Sequence, residues 1–274
     1  MKPVEHYKDR EQTYLKHFFL ERYLEAVAYH IGFSNTEFVY VDCFSGPWRA
    51  ADEALGDTSI RIALDRLNAV RLGLAQRQKY PTIRAIFVEK LPSSFAALQQ
   101  VLEEHRGAVI TTALEGTFEE NISRILCEVG STFAFFFVDP TGWTGFAMDN
   151  LRPILQRAKG EVMINFMYDF INRFLTFQSP SNEESLDRFF GTREWRPIRD
   201  APEREPALVS MKEALKRELC SHYLHGTSGR HFETDFPDQV VECLANGKVE
   251  LIQRAGAGQG EQTVSGIGVD DAGG

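Results

Sequence analysis

Five apolar runs of strand length alternate with helix-forming segments between residues 37 and 167, and this alternation leaves few folds open. The runs are EFVYVDCF, IRAIFVEK, AVITTAL, TFAFFFVDP and GEVMINFM. The β-branched and aromatic residues of the first run predict a buried strand, and the fourth run is apolar on both faces, as in a central parallel strand. Parallel strands need a crossover connection, usually a helix, so the pattern predicts an α/β fold with a doubly wound, mostly parallel Rossmann-like sheet.

The segments around the strands predict the helices. Apolar residues recur at helical spacing over residues 11–31, which predicts an N-terminal helix that ends at Gly32. A basic helix is expected over residues 58–79. The helix after the second strand is expected to be capped by Ser93 or Ser94, whose hydroxyls can accept a backbone N–H.

The composition excludes several classes of protein. Hydrophobic residues make up 43% of the 274 positions, which is enough for a sizeable core. The net charge of −9 argues against a non-specific nucleic-acid coat, because such binding neutralises phosphates. No apolar run approaches the ~20 residues of a membrane span, and the four cysteines are scattered as in reducing compartments. We expect a cytoplasmic protein without a membrane partner.

The chain is expected to form one domain over residues 1–254, followed by a flexible Gly-rich tail over residues 255–274. Residues 178–206 have no sustained apolar periodicity and are expected to form an insertion or lid after the fifth strand. Cys220 and the histidines that follow it lack a second cysteine pair, so no metal site is expected.

Two charged segments leave two interpretations open. Residues 58–84 contain six basic residues against one acid, which is typical either of a solvated helix face or of a phosphate-facing patch. The predicted lid contains five arginines, Trp195 and seven acids. It either holds phosphates and stacks on an unpaired base, or is an internally paired loop.

Polar residues follow the first two strands, where ligands bind in open α/β sheets. The first strand leads into Asp42, Phe44, Ser45 and Gly46, and a glycine lets backbone approach a ligand closely. The turn is neither G-x-G-x-x-G nor a P-loop, which disfavours a nicotinamide dehydrogenase. Glu89 ends the second strand, where a carboxylate can accept both hydroxyls of a ribose. Asp42 either contacts the cofactor or caps its turn.

The third and fourth strands also end in polar turns. Thr117 follows the third strand, where an adenine could be held. Asp139, Pro140 and Trp143 follow the fourth strand and could grip a flat polar substrate. Asp139 either orients the substrate or caps the following turn, and Trp143 is either a stacking platform or core. Tyr168 lies beyond the fifth strand and lines either the substrate mouth or a plain strand–helix junction.

These strand ends resemble the motifs of class I S-adenosylmethionine (SAM) dependent methyltransferases. DCFSGP is similar to their first motif, D-x-F-x-G-x-G, and Glu89 matches their acidic second motif. DPTGW is similar to the D-P-P-Y motif of amino methyltransferases, in which the acid holds the reacting amine. The resemblance implies SAM as the cofactor and Asp139 as the acceptor-orienting residue. Trp48 stands where those enzymes have a second glycine.

A closer resemblance covers residues 10–175. LKHFFLERYL, VYVDCFSGPW, FVEK and FVDPTGWTG resemble, in this order, the bacterial three-Cys-motif partner proteins, which are named after a phage-related companion carrying three cysteines. The Lys-His pair of that family's N-terminal helix matches Lys16 and His17, which we expect to bind substrate. His17 also lies on the apolar stripe of its helix, so it is either a pocket base or a core histidine.

The resemblance implies a methyltransferase that transfers a methyl group to an amine or hydroxyl of a nucleic acid or nucleotide-like substrate. The alternative is a methyltransferase-shaped binding module that serves the three-cysteine protein without turnover, with Trp48 filling the place of the cofactor. The family's sheet continues further toward the C-terminus, whereas this chain becomes Gly-rich, so the presence of a last strand is left open.

Overall fold

The computed structural model describes residues 11–46, 58–105, 107, 109–140, 145, 147–166, 179–199, 239–244 and 249–253. The elements in chain order are α1 (Glu11–Ser34), β1 (Glu37–Asp42), α2 (Ser59–Gln76), β2 (Thr82–Glu89), α3 (Pro92–Glu104), β3 (Ile110–Glu115), α4 (Phe118–Val129), β4 (Ala134–Val138), α5 (Met148–Leu155), β5 (Gly160–Phe166), α6 (Pro180–Phe190), α7 (Trp195–Arg199), β6 (Gln239–Leu244) and β7 (Val249–Gln253).

The strands form one sheet in the order β3-β2-β1-β4-β5-β6-β7. Every neighbouring pair is parallel except β6 and β7. The five-strand order 3-2-1-4-5 confirms the predicted doubly wound α/β fold. The order reverses between β1 and β4, and in such sheets that switch point is where ligands bind. The strands β6 and β7 extend the sheet beyond β5, the part that the sequence left open.

The core lies on both faces of the sheet because successive side chains of a strand point to opposite sides. One cluster includes Val39 and Val41 of β1, and the helices α4, α5 and α6 pack against that face. The other cluster includes Phe38 and Tyr40 of β1 with residues of α1, α2 and α3. This two-sided burial explains why the strands have continuous apolar sequences.

Two helix boundaries differ from the prediction. The helix α1 does not end at Gly32, because it continues to Ser34 and Asn35 N donates to Ile31 O at 2.8 Å. A Cβ on Gly32 would lie 2.7 Å from Leu74 Cδ1, so this glycine permits close packing of α1 on α2.

The start of α3 is the second difference. The prediction that Ser93 or Ser94 caps α3 is wrong, because the helix begins at Pro92 and its N-cap is Leu91. Both serines therefore lie inside the first turn. Proline is favoured at this position because its φ angle suits a helix and its missing N–H would have no partner there.

Candidate functional site

The residues predicted from the strand ends lie along the carboxyl edge of the sheet. Asp42 ends β1 and Glu89 ends β2, and these two strands are neighbours. Asp139 directly follows β4, which pairs with β1 on its other side. The β4–β5 register pairs Val138 with Ile164. The next residues, Asp139 and Asn165, therefore lie beside each other. The edge at the switch point therefore presents three carboxylates and one amide.

Asp42 braces the turn after β1. Its side chain is fully buried, its Oδ1 accepts Phe44 N at 3.1 Å, and its Oδ2 accepts Ser59 Oγ at 3.1 Å. Burial raises the pKa of this carboxyl to about 7 and the nearby charge of Asp139 raises it too, against the two hydrogen bonds and the charge of Lys16. The geometry shows the turn-capping role, and contact with a cofactor stays a prediction.

Ser45 joins this turn to β2. Its backbone N donates to Val88 O at 2.8 Å, and its hydroxyl accepts Val88 N at 3.2 Å and donates to Asp42 O at 3.2 Å. Phe44 packs on Phe118 of α4, with ring centroids 5.6 Å apart. These contacts fix the path of the backbone as it enters Gly46.

Gly46 and Glu89 meet at the edge. A Cβ placed on Gly46 would lie 1.5 Å from Glu89 Oε2, so only glycine lets the carboxylate lie where it does. Glu89 is 3% exposed, and its Oε1 accepts Leu91 N at 2.6 Å. Its Oε2 is buried and has no hydrogen-bond partner in the part of the chain that the structure describes. Such an oxygen costs free energy in the folded protein, so this position is one where a ligand with hydroxyl donors would fit.

Asp139 lies between two partners from distant parts of the chain. Lys16 Nζ of α1 donates to its Oδ2 at 2.7 Å, and Asn165 Nδ2 of β5 donates to its Oδ1 at 2.6 Å. Lys16, which was predicted to bind substrate, therefore contacts Asp139, which was predicted to be catalytic. The sequence analysis missed Asn165, although its position as a polar residue near the end of an apolar strand was a usable signal.

The remaining predicted site residues have different positions. His17 and Pro140 are buried beside Lys16 and Asp139. Thr117 caps α4, because its hydroxyl accepts Glu120 N at 3.2 Å and donates to Glu120 Oε2 at 2.9 Å. That hydroxyl serves the helix, and its predicted role beside an adenine has no support from these contacts. Trp48, Trp143 and Tyr168 and the cysteine–histidine segment lie outside the described residues.

Two of the three arginines of α2 are paired with acids, and the third, Arg71, donates to Asn68 Oδ1 at 3.3 Å. Arg66 lies 3.5 Å from Glu21 and 3.3 Å from Glu25 of α1, and Arg61 lies 3.2 Å from Asp65. These contacts favour the solvated, ion-paired helix face over the phosphate-facing patch.

The predicted lid is helical where the structure describes it. Trp195 is fully buried and its Nε1 donates to Asp187 Oδ1 at 3.0 Å, so of the two alternatives its stacking on an unpaired base has no support from these contacts. Three of the arginines have acidic partners within the segment, in the pairs Arg193–Asp187, Arg196–Asp187, Arg196–Glu183 and Arg199–Glu183. Internal pairing is therefore the interpretation that the contacts support. Between residues 179 and 199 the segment forms two short helices rather than a loop.

Comparison of the chain with protein-family models, with curated proteins and with solved structures gives no match. None of the helices described is long and apolar enough to cross a membrane. No group of three or more histidine, cysteine or acidic side chains that could hold a metal ion occurs in the described ranges. A candidate function for the chain has to explain why three carboxylates and the Asn165 amide lie together at the carboxyl edge of the sheet.

Proposed function

We propose that this chain is a SAM-dependent methyltransferase that resembles the three-Cys-motif partner proteins and acts in the cytoplasm. The observation that carries the proposal is the Oε2 oxygen of Glu89, which is buried, has no hydrogen-bond partner among the described residues, and lies against Gly46 beside the switch point of the sheet. An acid at the end of the second strand is suited to accept ribose hydroxyls.

The residues at the edge fit the nucleoside part of SAM. Glu89 would accept the ribose hydroxyls with Oε2 while Oε1 stays on Leu91 N. Gly46 leaves the carboxylate room, and Asp42 and Ser45 hold the turn that leads to it. When bound, SAM supplies a methyl group attached to a positively charged sulfur, which any well-placed lone pair can attack.

Asp139 would orient the methyl acceptor. Asn165 fixes one of its oxygens, and the other oxygen accepts a hydrogen bond from an amine in this structure. Methyl transfer depends mostly on positioning, so holding an acceptor N–H or O–H in this way is the main contribution that the side chain needs to make. Arg61 and Arg66 of α2 and three arginines of the α6–α7 segment are paired with acids. We therefore place recognition in the amine or hydroxyl group of the acceptor rather than in phosphates. A nucleotide-like acceptor remains our proposal, and a base within a duplex would first have to be flipped out.

Replacing Glu89 with alanine is expected to weaken SAM binding by about 1.5–3 kcal/mol, the range for hydrogen bonds to a charged group. Isothermal titration calorimetry of the full chain with SAM and with S-adenosylhomocysteine measures this. Glu115→Ala is the matched control, because Glu115 pairs with Glu89 across the ladder but is exposed, and it should leave the affinity unchanged. A folded wild-type chain that binds neither ligand would contradict the proposal and favour the non-catalytic partner of a three-cysteine protein.

Gly46→Ala is expected to weaken SAM binding as much as Glu89→Ala does. The new Cβ would lie 1.5 Å from Glu89 Oε2, so the carboxylate has to leave its place, and it is the far end of a side chain that can move. The double variant should therefore bind SAM no more weakly than either single variant, because both changes disrupt the same contact, that of the Glu89 carboxylate with the ribose. Additive losses measured in the same titrations would show that Gly46 does not act through Glu89.

A further inference from the structure

We propose that Lys16 is a methyl acceptor of this site, so that the chain methylates its own N-terminal helix. The inference rests on the proposed function, in which Asp139 orients the amine to be methylated. In this structure the amine on Asp139 is that of Lys16, at 2.7 Å.

Lys16 is held the way an acceptor should be held. Asn165 fixes Asp139 Oδ1, which leaves Oδ2 in a defined direction for the amine. The Lys16 side chain is 21% exposed and that of Asp139 is 14% exposed, so the ion pair is shielded but the amine is not sealed in the protein. Asp139 also lies near the turn proposed to bind SAM, because Cys43 N in that turn donates at 2.9 Å to the O of Phe137, two residues before Asp139.

Other described lysines lack this arrangement. Lys90 directly follows Glu89 at the same edge, but its side chain is exposed. Lys79 lies over the ring of Phe33, with its Nζ 5.0 Å from the ring centroid. The contact with Asp139 therefore distinguishes Lys16 from these two lysines.

The reaction balances with groups that are present or named. The Lys16 ammonium would first release one proton to solvent while another N–H stays on Asp139 Oδ2, which leaves a neutral amine whose lone pair points away from the carboxylate. That lone pair would form the bond from Nζ to the methyl carbon of SAM while the carbon–sulfur bond breaks and its electron pair stays on sulfur. The products would be methyl-lysinium, which keeps its hydrogen bond to Asp139, and S-adenosylhomocysteine.

The test is incubation of the purified full chain with SAM that carries a trideuterated methyl group, followed by mass spectrometry of the peptides that contain Lys16 and Lys90. We expect label on Lys16 and not on Lys90, at a rate per molecule that is independent of protein concentration. Lys16→Arg keeps a cation on Asp139 and should abolish the label. Asp139→Asn should slow it about a hundredfold, the cost of misplacing a reacting group by about 1 Å.

A second readout needs no turnover. Bound S-adenosylhomocysteine should slow acetylation of Lys16 by an N-hydroxysuccinimide ester and leave Lys90 unchanged, because the Lys16 amine lies on Asp139 whereas the Lys90 side chain is exposed. SAM binding without label on Lys16, equal label on Lys16 and Lys90, or unchanged acetylation of Lys16 would each overturn the inference while leaving the proposed function intact. Absence of SAM binding in the calorimetric titration would instead remove the proposed function itself.

Discussion

Replacing Trp195 with alanine is expected to lower the free energy of unfolding by about 3–5 kcal/mol, the usual cost of removing a large buried aromatic side chain. Trp195 is fully buried, its ring stacks on Phe190 with centroids 5.9 Å apart, and its indole N–H donates to Asp187. The change would leave a cavity between α6–α7 and the core. It would also remove the hydrogen bond that the Asp187 carboxylate accepts from the indole N–H. Urea denaturation of the wild-type and variant chains measures the difference.

Arg193→Ala is the matched control for this change. Arg193 lies in the same segment and forms an ion pair with Asp187, but its side chain is 81% exposed. Its removal should change the free energy of unfolding by less than about 1 kcal/mol. If Trp195→Ala instead unfolded at the same urea concentration as the wild type, the segment would not belong to the core, and its interpretation as a mobile lid would return.

The same segment shows where sequence analysis of this fold failed. Leu186, Phe189 and Phe190 recur at helical spacing and are buried, but they are surrounded by acids, arginines and prolines. The average composition of residues 178–206 therefore suggested a solvated insertion, although three apolar positions were enough to anchor a helix. The five strands were predicted because short runs rich in β-branched and aromatic residues alternate with helix-length segments, a pattern typical of a parallel α/β sheet.

Helix boundaries could not be predicted where the same residue type can either end a helix or serve its packing. Gly32 was expected to end α1, because glycine is favoured just after a helix. Its actual role is to admit Leu74 of α2, and a single sequence does not record which helix packs on which. Likewise, Ser93 and Ser94 are good capping residues, but Pro92 begins the helix one position before them.

The candidate site was predicted in part for a physical reason. Carboxyl ends of parallel strands meet at one edge, so Asp42, Glu89 and Asp139 could be grouped from the strand pattern alone. The contact between Lys16 and Asp139 joins residues 123 positions apart and depends on how α1 crosses the sheet. The unpaired oxygen of Glu89 depends on side-chain conformation. Neither the Lys16–Asp139 contact nor the unpaired oxygen can be inferred from the strand pattern.

Asp42→Asn is expected to stabilise the protein near neutral pH, by about 4 kcal/mol at most. Burial is the main reason that the pKa of Asp42 lies at about 7 instead of 3.8, and each unit corresponds to about 1.4 kcal/mol. Between these two pH values the unfolded chain releases the proton of Asp42 while the folded chain keeps it. The wild type therefore loses stability as pH rises through this range, and the loss is complete above about pH 7.

Asparagine can replace Asp42 without breaking its contacts, because its oxygen can accept Phe44 N and its amide can donate to Ser59 Oγ. Urea denaturation from about pH 4 to about pH 8 should show the advantage of the variant growing up to about pH 7 and then staying constant. A hydrogen bond from Thr132 is the main cause that lowers the pKa of Glu37. Burial acts to raise the pKa of Asp187, but the hydrogen bonds from Arg196 and Trp195 and the charges of Arg196 and Arg193 together lower it. Both groups therefore make both proteins less stable in acid. Because those groups are the same in both chains, the difference between the two pH profiles isolates Asp42. If the free energies of unfolding of the two proteins instead changed in parallel with pH, ionisation of the Asp42 carboxyl would cost the folded chain nothing. The polar contacts of the turn after β1 would then offset the cost of burying the charge.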